Sequence, residues 1–146
     1  MPKSRVFVTG LGIISPLGLN VSDTWNSAKA GKSGVNTITS FDPSDFETKI
    51  AGEIKDFDPL EYLAKQEARR TDRFVQLAVG ATNQALIQAS LDLSTLVAAE
   101  TSVVIGSGIG GIQTLSQQYA VLSEKGPNRV SPFLIPMMLA DMGAEV

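Results

Sequence analysis

The chain has 146 residues, with 12 basic and 15 acidic side chains and a formal charge of −3. That is one domain's worth of chain at ~150 residues per domain, and its 43% apolar and 18% charged content is that of a folded protein, not a disordered one. It holds no Cys and no His, which excludes disulfides, thiolate metal sites, a Cys nucleophile and a Ser-His-Asp device assembled from this chain alone, while mild acidity argues against a general nucleic-acid binder.

Met1-Pro2-Lys3-Ser4-Arg5 leads into an apolar stretch broken early by Gly10, Gly12, Ser15 and Pro16. Neither a signal sequence nor a membrane span is expected from it. Residues 5–9 carry Val6-Phe7-Val8, an unbroken β-branched and aromatic run that predicts a strand covered on both faces, as in a parallel sheet. Asn20 is the expected N-cap of a helix over 21–30, with Asp23 in its first turn and Gly31 or Gly34 at its end. Residues 35–49 read as a loop and 49–54 as a short strand. Asp58-Pro59 opens a charged helical stretch reaching about residue 70.

The strongest helix is predicted over 72–90 with Thr71 as its cap. Phe74, Ala78, Ala81, Ala85 and Ala89 fall on one stripe, widened by Val75, Leu77, Val79, Leu86 and Ile87. A helix so apolar is expected to be mostly buried, and its small alanines imply close approach to another element. Residues 101–105 read as a second buried strand and 106–111 as a glycine-rich turn. A helix follows to about residue 125, with Ile112, Leu115, Tyr119 and Leu122 on one face and Gly126-Pro127 as its stop. Alternating strands and helices give an α/β class. Residues 131–139 are as apolar as any in the chain. They either tuck into the domain's own core or present a patch to a continuation or partner, and the second reading is preferred.

Two glycine clusters invite a nucleotide-binding reading. In Gly10-Leu11-Gly12-Ile13-Ile14-Ser15 the third glycine position is Ser15, and Pro16 with Gly18 delays any helix beyond phosphate reach. Gly106-Ser107-Gly108-Ile109-Gly110-Gly111 matches the fingerprint formally, but Glu124, the only acid near the required spacing, falls at a helix end and not at a strand end. A tight turn where backbones approach closely is the better account. Lys65, Arg69, Arg70 and Arg73 form a basic cluster. Spacing alone favours a solvated helical face over a docking site for an acidic partner. No carboxylates pair as an acid/base couple; Asp42, Asp45, Glu47, Asp56 and Asp58 take turn and capping roles.

Several longer motifs carry a family resemblance. Val8-Thr9-Gly10-Leu11-Gly12-Ile13-Ile14-Ser15-Pro16-Leu17-Gly18 closely resembles the opening of the β-ketoacyl-acyl carrier protein synthases. The resemblance continues through Ala30-Gly31-Lys32-Ser33-Gly34, Lys49-Ile50-Ala51-Gly52 and Glu67-Ala68-Arg69-Arg70-Thr71-Asp72-Arg73-Phe74. It is completed by Ile105-Gly106-Ser107-Gly108-Ile109-Gly110-Gly111 and Ser131-Pro132-Phe133, in order and at family-like spacing. The resemblance implies residues 1–146 are an incomplete N-terminal half of a thiolase-like fold, with layered helices and a mixed sheet, usually in a homodimer. It implies an acyltransferase that condenses acyl groups with malonyl-acyl carrier protein, through a cysteine and two histidines that this chain lacks.

Carried over residue by residue, the resemblance makes Lys65, Arg69 and Arg70 a docking patch for the acidic acyl carrier protein. Gln66 stands where a basic residue is common. Ile109 matches the residue gating the acyl pocket. Leu134, in place of a common phenylalanine, and Ile135 match pocket-wall positions that reach across the dimer interface. No catalytic residue, metal or organic cofactor is implied within the chain, nor a nucleic-acid or membrane partner, and the expected location is the cytoplasm or plastid stroma. The alternative is a non-catalytic truncated paralogue that pairs with a full-length synthase as an interaction module.

Overall fold

The computed structural model describes residues 5–144, so Met1 to Ser4 and Glu145-Val146 lie outside it. The chain divides into two compact units, residues 1–58 with 81–91, and residues 59–80 with 92–146.

In the first unit, α1 spans Val21–Lys29 and starts where the sequence places it. The Asn20 side-chain oxygen accepts from the Asp23 amide at 2.9 Å, and the Asn20 amide group donates to the Asp23 carboxylate at 2.7 Å. At the other end Gly31, with φ of +66°, donates to Ala28 O while Lys32 donates to Ser27 O. That paired closure needs a left-handed residue, which glycine takes without Cβ strain. Strands β1 (Val35–Thr37) and β2 (Ile50–Gly52) pair antiparallel, with Val35 opposite Gly52 and Thr37 opposite Ile50. β2 falls within the expected strand. β1 corrects the reading of 35–49 as loop throughout: three residues are too few for a periodicity to register.

Residues 5–9 correct a larger expectation. They enter no strand ladder, and Val6 is 93% exposed. Apolar β-branched residues favour extension, but a strand also needs a hydrogen-bonding neighbour, and none of the described residues supplies one here. The following stretch is held by a helix instead. α3 runs over Arg73–Ala89, and its second half belongs to this unit. Gln88 Oε1 accepts from the Leu11 amide at 2.5 Å and Gln84 Oε1 from the Ile13 amide at 3.3 Å. Gln84 also donates to Leu19 O at 2.7 Å. Between these clamps the backbones nearly touch. A Cβ on Gly10 would collide with the Ala85 carbonyl, and one on Gly12 with the Ala81 carbonyl. The close approach implied by the alanines is present. The expected general burial of α3 is not, since only Val75 and Gly80 are fully covered. The alanine stripe is the covered side here, while Ile87 stands exposed elsewhere on the helix.

In the second unit, the expected helical stretch from Pro59 to residue 70 divides into a 3₁₀ turn, Pro59–Glu61, and the short α2, Lys65–Ala68. α4 covers Ile112–Lys125 and ends at Gly126 as predicted. α5 covers Leu134–Met138, followed by a 3₁₀ segment, Ala140–Ala144. Residues 101–105 lack a ladder, as residues 5–9 do, and Val104 is 91% exposed. The proposed apolar face of α4 also lies at the surface, with Ile112, Leu115, Tyr119 and Leu122 exposed; the buried residue of that helix is Thr114. The core here centres on Leu63 and Val75. Among the described residues no helix is long and apolar enough to cross a membrane.

Two outcomes follow from this packing. Gly12→Ala is expected to lower stability by about 1–3 kcal/mol through overpacking, read from urea unfolding midpoints. Gly108→Ala, with open space around its position, is the control expected to stay within ~0.5 kcal/mol. The exposed segments around Val6 and Val104 are expected to drive self-association of the 146-residue chain. Its light-scattering mass should therefore rise with concentration; a fixed monomer mass with a cooperative, concentration-independent melt contradicts this.

Candidate functional site

The basic cluster is built on an irregular segment. Glu67 accepts from the Ala64 amide at 3.1 Å and so closes the start of α2. Its end is closed by two side chains: Thr71 Oγ1 donates to Glu67 O at 3.0 Å, and the Gln76 amide donates to Ala68 O at 2.9 Å and Thr71 O at 3.1 Å. With its carbonyls satisfied, so short a helix keeps its shape despite the poor intrinsic stability of a single turn. Lys65, Gln66, Arg69 and Arg70 then surround one concave surface of about 460 Å³, with all four exposed. Arg70 makes a further contact. Its guanidinium lies 4.6 Å from the centroid of the Phe133 ring, a cation–π contact that ties the basic segment to the residue preceding α5.

Residues 106–111 form the expected turn, pinned from several sides. Ser107 Oγ accepts from the Gly110 amide at 2.9 Å, and the Gly111 amide donates to Met138 O at 3.0 Å. Gly110 has φ of +75°, and a Cβ there would sit 2.6 Å from Met138 O. Ile109, at the apex, is 73% exposed. The same contacts set the turn against the end of α5, which carries Leu134, half-buried, and Ile135, exposed. Further back, Gln118 accepts from the Ser131 amide at 2.7 Å, joining α4 to the approach to α5. The structure thus gathers the six sequence-predicted residues into two places in one unit: Lys65, Arg69 and Arg70 around a basic concavity, and Ile109 with Leu134 and Ile135 around the turn and α5. The apolar segment 131–139 packs in part against the turn while Phe133, Ile135 and Leu139 remain exposed, between the two expectations for it.

Asp72 is the residue that sequence reasoning passed over. The expected cap of α3 was Thr71; the residue in the N-cap position is Asp72, whose carbonyl accepts from Gln76 N at 3.2 Å and whose carboxylate accepts from the Phe74 amide at 3.4 Å. Its other oxygen accepts from the Thr114 amide at 2.9 Å and the Thr114 hydroxyl at 2.6 Å. The available signal was an acid directly before a strong helix, combined with a second helix whose own cap position, Gly111, has no side chain to offer.

The first unit holds a polar concavity of about 310 Å³, lined by Ser15, Asn36, Glu53, Lys55 and Asp56 among others. Glu53 there is a clamp. Its carboxylate accepts from the Thr39 hydroxyl at 2.7 Å, the Thr39 amide at 3.0 Å and the Ser40 amide at 2.9 Å. Those donors, the Thr39 hydroxyl foremost, stabilise the charged form and lower its pKa from 4.5 to about 2. Ser44 and Ser94 lower Asp42 and Asp92 in the same way. These are turn-closing carboxylates, the role expected of Asp42. Among the described residues no group of three His, Cys, Asp or Glu is placed to hold a metal.

Residues 3–146 match the family model described as the β-ketoacyl synthase N-terminal domain. The chain belongs to that family. Over 144 residues, 99% of its length, this ketoacyl synthase chain is 46% identical to a 3-oxoacyl-[acyl-carrier-protein] synthase 2 of Synechocystis and equally to one of Coxiella burnetii. A Staphylococcus aureus protein of the same name is 44% identical over 140 residues. The chain spans 35% of the length of the first two and 34% of the third. Among solved structures, the ishigamide ketosynthase/chain length factor aligns with 93% of this chain and 34% of its own, with a TM-score of 0.82 and 27% identity. A type II polyketide synthase acyl-carrier protein in complex with its ketosynthase aligns at a TM-score of 0.79 and 22% identity, over 98% of this chain and 37% of that one. The fold is therefore α/β and thiolase-like. The described residues contribute helices and one two-stranded sheet to it.

The Glu53 clamp gives a pH prediction. A depressed carboxylate pKa contributes stability that is complete above the unfolded value, near 4.5, and is lost as pH falls through about 2. The Glu53 side-chain carboxyl resonance should accordingly titrate near 2, with the Thr39 and Ser40 amides shifting together with it. A midpoint near 4.5 would show the turn unclamped.

Proposed function

We propose that this chain is the N-terminal part of a 3-oxoacyl-[acyl-carrier-protein] synthase, an incomplete thiolase-like half whose full-length protein elongates fatty acids. The observation that carries the reading is the 46% identity running through 99% of the chain, far longer than any single motif. In the full-length protein an acyl group passes from its carrier thioester to a cysteine thiolate, releasing the carrier thiol. Malonyl-acyl carrier protein then loses carbon dioxide, and the carbanion attacks the enzyme thioester, forming the new carbon–carbon bond and freeing the cysteine. This chain has neither Cys nor His, so on this reading the nucleophile and the histidines that assist decarboxylation come from residues beyond these 146, and the chain alone does not condense. No cofactor enters the reaction.

What the chain supplies is recognition. Lys65, Arg69 and Arg70 dock the acidic acyl carrier protein; the exposed concavity they share supports this, since exposed charge chiefly speeds and orients encounter. With Gln66 in place of a cation the patch is weaker by one charge. Ile109 gates the acyl pocket, and Leu134 and Ile135 form its wall across the interface of a homodimer. The protein works in the cytoplasm or plastid stroma, with no nucleic-acid or membrane partner. A second reading, a non-catalytic module that pairs with a full-length synthase, is favoured by the exposed apolar residues around Val6 and Val104. The intact mass of the native gene product separates the two: a mass near 15.5 kDa favours the module, and one several-fold larger favours the synthase.

The experiment uses the full-length protein. It should condense acyl and malonyl groups on acyl carrier protein, and the double change Lys65→Glu and Arg69→Glu, which spares the Arg70–Phe133 contact, should raise KM for the carrier substrate about tenfold or more with kcat little changed. Turnover of a small acyl thioester lacking the carrier should be untouched. Equal losses on both substrates would remove the docking role, and no condensation by the unaltered protein would remove the synthase reading.

A further inference from the structure

We infer that Asp72 is a positioning residue that sets the placement of Ile109, and through it the acyl chain-length preference of the enzyme. The inference rests on the gating role proposed for Ile109. Asp72 is 6% exposed and its partner Thr114 is 7% exposed, at the edge of a concavity of about 210 Å³ that both line. A buried carboxylate is unfavourable unless hydrogen bonds replace its water, and Asp72 has three: from the Phe74 amide, the Thr114 amide and the Thr114 hydroxyl. One carboxylate thereby caps two helices, its own α3 and, across 42 residues of sequence, α4. Both helix N-termini carry partial positive charge that favours an anion between them.

The consequence falls on the turn. α4 begins immediately after residues 106–111, and its own N-cap, Gly111, has no side chain to satisfy the first-turn amides. Thr114 is the third residue of α4, so the bond from Asp72 fixes the helix start three residues after Gly111. Beyond it, Gly111 is held to Met138 O and Gly110 to Ser107. Ile109 itself stands exposed at the apex. Its position is therefore dictated by where the turn is pinned, and among the described residues Asp72 is the charged group that pins the helix start behind it. A backbone turn that shifts by a fraction of an ångström moves the Ile109 side chain with it, which changes the space left for an acyl chain.

The test is the ratio of kcat/KM for a short acyl donor, octanoyl-carrier, to that for a long one, palmitoyl-carrier, in the full-length protein. Asp72→Asn keeps the shape and an acceptor oxygen but removes the charge, and should change the ratio by about fivefold or more, within the range a pocket discriminates by small steric differences. Thr114→Val keeps the amide bond to Asp72, loses the hydroxyl bond, and should move the ratio in the same direction by about twofold to threefold. A merely structural role lowers the amount of active enzyme and leaves the ratio unchanged, and that result in a folded variant overturns the inference. Should Asp72→Asn not fold, the Thr114→Val ratio decides alone. An unaltered protein that does not condense removes the synthase reading and this inference with it, whereas active enzyme with unaltered ratios in the variants removes this inference only.

Discussion

The second unit is organised by a carboxylate placed where two helix N-termini converge. Helix starts leave amides without partners, and a helix led in by glycines has no local side chain for them. Asp72 meets that need for α4 while serving α3, so the glycine-rich turn, the start of α4 and the start of α3 share one anchor. The basic segment lies directly upstream of that anchor in the chain. Its short helix is closed by Thr71 and Gln76, the residue before Asp72 and one a turn into α3. The basic segment and the glycine-rich turn are thus referred to the same few residues, although neither contains them.

What the sequence made legible and what it concealed divide along physical lines. Caps and stops written in local chemistry were readable: Asn20 and Gly31 around α1, Gly126 after α4, the turn at 106–111. The alanine stripe of α3 also announced a close neighbour correctly, though not which one. Residues 5–9 and 101–105 show the limit. Their apolar, β-branched composition states a preference for extension and cover, and it carries no record of whether a hydrogen-bonding neighbour is at hand. α3 misled for a related reason, since its apolarity suggested that most of it is buried, and among its residues only Val75 and Gly80 are fully covered. Asp72 escaped because its partner is non-local: nothing in the residues flanking it reveals Thr114, 42 positions on.

The residues proposed for docking and for the acyl pocket stand out only through resemblance. On spacing alone the basic cluster was an ordinary solvated face, and the structure adds a reason to separate its members. Among its described members, Arg70 is laid on the ring of Phe133. A planar guanidinium can stack on a ring and still offer its outer N–H groups, which a lysine ammonium in the same place does less well. Arg70 therefore joins the basic segment to the chain that leads into α5.

The contact between Gly10, Gly12 and the second half of α3 has a mechanical meaning. Most packed interfaces include side chains that can change rotamer and so absorb a small displacement. Here main chain meets main chain, with glutamine amides bracing it on either side, and no compliant layer lies between. The joint is stiff in compression: pressed together, the two backbones have nothing left to give. Any force that drives that part of the helix toward residues 10–12 is passed on to them undamped, which makes the joint a transmitting strut and not a cushion.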